Sequence, residues 1–180
     1  MIPPQSLDVT VFCALGAMVE TQQIALAAVE GIDQAEAEIV FVETLCLVST
    51  ATARAAVSAF TAQSDVRNHL SQTLQALPLT LHSYVAGGEV LKTGVSSPEG
   101  IPDATADLDR MMDFYNAHLA DTGLPDRKSL RHAMILWMGR ISPPGLSEHP
   151  EARLDRLGLV DRLSLHVRLV EAYARNAAAS

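Results

Sequence analysis

Two glutamates, Glu20 and Glu43, are the first residues in this chain whose type and placement could carry chemistry. Glu43 lies in the run Phe41-Val42-Glu43-Thr44-Leu45-Cys46-Leu47-Val48, and on a helix its neighbours Ile39, Val40, Cys46 and Leu47 are all apolar. A carboxylate there must be protonated, paired with a cation or bound to a metal, because an isolated desolvated charge is expensive. An antiparallel hairpin turning near residues 31–32 would bring Glu20 and Glu43 to one height. Paired glutamates on adjacent helices are how bundles build carboxylate-bridged metal sites, together with Glu-x-x-His pairs on two further helices. The chain contains no Glu-x-x-His, so a solvated groove or an ion pair with an arginine such as Arg54 or Arg131 is the simpler fate for Glu43.

Two further groups suggest a pocket rather than a reaction. His82 and Tyr84, with Leu81 and Val85, precede Gly87-Gly88, and a helix interrupted by two glycines can open a space for a small apolar ligand. Met112 and Trp137 belong to a Met- and aromatic-rich set that also holds Met111, Phe114, Tyr115, Met134 and Met138. The adjacent pairs Met111-Met112 and Trp137-Met138 are expected to turn one member of each away from the central core, toward another helix or another chain. Leu159, Leu165 and Leu169 likewise fall beside the main stripe of the last helix. A helix apolar on more than one side needs extra partners, and a second copy of the chain is the simplest. His149 and His166, single residues near arginines, are expected at the surface. Asp107, Asp109, Asp113 and Asp121 read as a solvated helix face.

The motifs of common chemistries are absent: no Gly-Lys-Ser/Thr phosphate loop, no CxxC, no His-Glu-x-x-His and no Gly-x-Ser-x-Gly.

These residues must be positioned by helices. Ser6 can cap a first helix over 7–29, stopped near Gly31. Asp33 and Glu36 resemble a capping box opening a second over 34–60, although Ile39 to Val48 is β-branched enough to read as a strand. Ser64 caps a third, ending near Pro78, and a fourth spans about 79–91. The segment 92–102 reads as a loop. A fifth helix follows over about 104–121. Asp126 caps a sixth carrying Leu130, Ala133, Met134, Trp137 and Ile141. A second loop at 142–150 precedes C-terminal helices in which Val160, Leu163, Val167, Val170 and Ala174 form the inner stripe. The expectation is a single all-α domain over 1–180, a bundle of about six to seven helices with 7–29 and 34–60 as an antiparallel hairpin.

With 180 residues, 48% hydrophobic, the chain can bury a core without disulfides or metals, and Cys13 and Cys46 both sit in apolar runs. The net charge of −8 argues against nucleic-acid binding by phosphate neutralisation. Residues 1–109 hold 13 acids and three bases, net −10; residues 110–180 hold eight acids and ten bases, net +2. The apolar run Val9–Val19 is shorter than the roughly 20 residues of a membrane span. A cytoplasmic protein without membrane or nucleic-acid partners is expected, and eleven Arg against two Lys suggests a GC-rich bacterial genome. The residues favour a non-catalytic helical interaction or small-ligand-binding protein, homodimeric. The alternatives are a metal-dependent enzyme using Glu20 and Glu43, and a ligand-sensing regulatory domain lacking its own DNA-binding segment.

Overall fold

The computed structural model describes residues 4–30, 34–93, 101–119, 123–146 and 148–179. They form an all-α bundle: α1 (Pro4–Ala28), α2 (Gln34–Ser58), α3 (Ser64–Gln75), α4 (Leu77–Thr93), α5 (Ile101–His118), α6 (Arg127–Ile141), α7 (Pro150–Leu157) and α8 (Leu159–Ala179). Gly31 and Asp33 lie outside the described residues, as does the middle of the expected loop, 94–100. The flanks of that loop are helical, because α4 continues through Gly87-Gly88 to Thr93 and α5 begins at Ile101.

The second helix is the axis of the molecule. It packs on α1, α3, α4, α5, α6 and α8, and its contact with α1 is the most extensive of any pair. Only residues 29–33 separate α1 from α2, so this packing makes them an antiparallel hairpin. All ten residues from Glu43 to Thr52 are buried. A helix enclosed on every side needs apolar residues on every side, which is why the segment also reads as a strand.

Three of the four hydroxyls in this buried stretch are satisfied locally, and Ser49 Oγ is buried with no hydrogen-bond partner among the described residues. Thr44 Oγ1 donates to the Val40 carbonyl, and Thr50 and Thr52 donate to the Cys46 and Val48 carbonyls at 2.7 Å. Such bonding to the carbonyl one turn back lets a hydroxyl enter an apolar core.

Several ends differ from the sequence expectation. The first helix starts at Pro4, so Ser6 is inside it and buried rather than its cap. Proline is tolerated in a first turn, where its missing N–H has no helical partner to lose. For α3 the cap position is Gln63, and its amide instead donates to the Ala178 carbonyl at the end of α8 (3.0 Å). Asp126 does cap α6, accepting from the Ser129 N–H at 2.7 Å. His149 is exposed and caps α7, which ends at Gly158 in the left-handed conformation (φ 64°). Arg153, buried on α7, donates to the Ala28 carbonyl (2.6 Å), placing a cation at the negative end of the α1 dipole.

The side chains expected off the core-facing stripes divide between contacts with other helices and solvent. Trp137 and Met138 are both fully buried, because α6 is enclosed by α2, α5, α7 and α8. Leu159 is buried as well, where α8 begins against the core, whereas Leu165 and Leu169 are exposed. By length and composition alone, Gln5–Ala28 and Ala37–Ser58 could each cross a membrane; the second is 72% buried inside the protein and the first 33%. The run Val9–Val19 is thus part of a longer apolar helix than its charge-free stretch suggests.

Candidate functional site

Glu43 is held by two other helices. Tyr115 on α5 donates its hydroxyl to Oε2 at 2.6 Å, and Arg140 on α6 donates Nε to Oε1 at 2.8 Å, its terminal nitrogen contacting the same oxygen. The Arg140 guanidinium also lies over the Phe114 ring, 5.0 Å from its centre. The arginine partner is therefore Arg140, while Arg54 bonds Asn116 and Arg131 bonds Asp155. One turn along, Trp137 Nε1 donates to Thr44 Oγ1 at 3.2 Å.

These groups hold their protons firmly. Burial and the adjacent Glu43 charge push the Tyr115 phenol far above its usual range. Burial, then Glu43, raises the Cys46 thiol to about 12. Neither is a base or nucleophile near neutral pH. The cluster joins α2, α5 and α6 as a saturated polar clasp.

Glu20 does not join it. Its carboxylate accepts from Arg162 on α8, with Nε at 2.8 Å. The hairpin sets the two glutamates at similar heights, but each turns to its own arginine on a different helix, and the expected carboxylate pair is replaced by two ion pairs. Among the described residues, no group of three or more His, Cys, Asp or Glu is placed to hold a metal ion.

His166, expected at the surface, is buried where α8 meets α1 and α2, with Nε2 2.8 Å from Thr52 Oγ1. The Thr52 hydrogen already goes to the Val48 carbonyl, so the ring must donate from Nε2. Burial lowers its pKa, an effect opposed by Glu20 and reinforced by Arg162.

The space for a ligand lies elsewhere. A cleft of about 830 Å³ opens between α2, α3 and α5. Helix α2 contributes Thr50, Ala53, Arg54, Val57 and Ser58; α3 contributes Arg67, Ser71 and Gln75; α5 contributes Asp109, Met112, Asp113 and Asn116. Each set recurs at three- and four-residue steps, so one face of each helix forms one wall. Arg54 is fixed by bonds from Nε to Asn116 Oδ1 (2.7 Å) and from its terminal nitrogen to the Asn116 carbonyl (2.9 Å). That carbonyl is among the last four of α5, which have no helical donor of their own. Two guanidinium groups and two carboxylates thus stand over an apolar floor of Ala53, Val57 and Met112.

Of the four residues expected to bind a ligand, Met112 lines this cleft. Trp137 is sealed in the core, and His82 and Tyr84 lie on α4, outside the lining. Arg54, Arg67, Asp109 and Asp113 were missed. Their signal was polar residues at helical spacing on three helices, which on any one helix reads as a solvated face. No family model, no characterised protein and no solved structure matches this chain.

Proposed function

We propose that the protein is a non-catalytic helical binding protein whose ligand is a polar metabolite carrying both an anionic and a cationic group. The single observation that supports this most is the cleft between α2, α3 and α5. Its volume falls within the roughly 300–1,000 Å³ of small-molecule sites, and its walls offer opposed charges over an apolar floor. Arg67 suits a carboxylate, because a guanidinium fork matches its two oxygens, and Arg54, committed to Asn116, adds positive potential to the cleft. Asp109 and Asp113 suit an ammonium group. Ser71, Gln75 and Thr50 supply further polar partners for orientation.

Isothermal titration with a panel of α-amino acids and other zwitterionic metabolites tests this reading. Binding is expected for at least one member, with Arg67→Ala or Asp113→Asn weakening it about tenfold or more, since each removes a charge-assisted contact. Absence of binding across the panel, or binding indifferent to both substitutions, would overturn it.

A further inference from the structure

Helices α1 and α8 lie side by side and antiparallel. Phe12 stacks on Tyr173 with ring centres 3.9 Å apart, Gly16 abuts His166, and Glu20 pairs with Arg162. The outward side of this pair is apolar. Leu7, Val11, Leu15, Val19 and Leu26 on α1, with Leu165, Leu169 and Tyr173 on α8, are each between 38% and 66% exposed. The register fixed by the three contacts sets Leu15 level with Leu169 and Val19 level with Leu165, so the two rows form one patch.

Its extent lies at the upper limit for a surface left in water. At roughly 150–200 Å² for each such residue when fully exposed, the six that lie between Asp8 and Gln22 in this register, Val11, Leu15, Val19, Leu165, Leu169 and Tyr173, leave on the order of 600 Å² uncovered. The largest apolar patch of an ordinary monomer is about 300–600 Å². A standard stable interface takes about 800 Å² from each partner. The patch is also organised as an interface is, apolar at its centre and polar at its margins. Asp8 and Asn176 lie at one end, and Gln22, Gln23 and Arg162 at the other, all exposed. Asp161 and Arg168 flank Leu165 on the side away from α1.

We propose that this face is covered by the same face of a second copy of the chain, two antiparallel helix pairs meeting across a two-fold axis. A face that meets itself must carry nothing at its centre that repels its own image, and Val11, Leu15, Leu165 and Leu169 carry no charge. An anionic lipid surface is the poorer fit, because the charges bordering the patch, Asp8, Asp161, Arg162 and Arg168, sum to zero and form no basic cluster. The inference is independent of the cleft, which lies on the α3 and α5 side of α2.

Sedimentation of the full chain at about 1–50 μM tests it. The wild type is expected at twice the 19.3 kDa chain mass. Leu15→Arg and Leu169→Arg replace exposed residues, so circular dichroism and melting temperature should stay close to wild type while dimer affinity falls about a hundredfold or more. Tyr84→Arg, at an exposed aromatic on α4, should leave the dimer intact. A wild type that stays monomeric at about 50 μM, a dimer that survives both leucine substitutions, or a monomer that floats with phosphatidylserine-containing vesicles would overturn the proposal.

Discussion

Tyr115 and Glu43 show how single side chains decide what this core tolerates. A buried carboxylate is stable only when its oxygens are occupied, and the Tyr115 hydroxyl occupies one while Arg140 occupies the other. Tyr115→Phe keeps the ring and removes only the donor, so chemical denaturation should show a loss of about 1–3 kcal/mol. Combining it with Glu43→Gln should cost less than the two separate losses together, because both act on one contact. His166 makes a pH prediction. Its folded pKa lies below the usual 6.5, so neutral burial gives its full stabilisation above that value. Protonation favours the unfolded chain, and the contribution is lost as pH falls through the lowered folded value. The denaturation midpoint should drop as the pH falls below about 6.5. His166→Gln can still donate to Thr52 and should flatten that stretch of the profile.

At the scale of the helix, two glycines make opposite predictions. A Cβ built at Gly16 would stand 3.2 Å from His166 Cε1, whereas one at Gly139 would meet nothing within 4 Å. Alanine is the better helix former by about 1 kcal/mol. Gly139→Ala should therefore raise stability by about 0.5–1 kcal/mol in a melting experiment. Gly16→Ala should lower it, because the ring is tied to Thr52 and cannot retreat without lengthening that bond. In a His166→Ala background, Gly16→Ala should turn stabilising.

The helices themselves were legible because their stripes, the Asp126 cap and the Gly158 stop are local signals. What faces those stripes was not. His166 looked like a surface histidine because Thr52 is 114 positions away, and Trp137-Met138 looked two-sided because α6 is enclosed by four helices. The cleft escaped for the same reason, since Arg67 and Asp113 share a wall only after α3 and α5 dock on α2.

For the whole molecule, the two thiols report on global opening. Cys13 and Cys46 are both fully buried, and burial raises each to about 12. A thiol reagent at neutral pH should label neither in the native protein and both in denaturant, at a rate set by cooperative unfolding. Partial labelling of Cys46 alone would mean that α5 detaches from α2 before the rest opens.

The antiparallel contact of α1 with α8 also bears on covalent connectivity. Phe12 against Tyr173 puts the start of the first helix beside the end of the last. A short linker could therefore join the end of α8 to the start of α1, and the chain could be reopened at the exposed turn Pro144–Gly145 between α6 and α7. Such a circular permutant would run α7, α8, α1 and onward to α6 while keeping every packing contact described. The bundle would then hold its shape with the chain's order of helices rewritten.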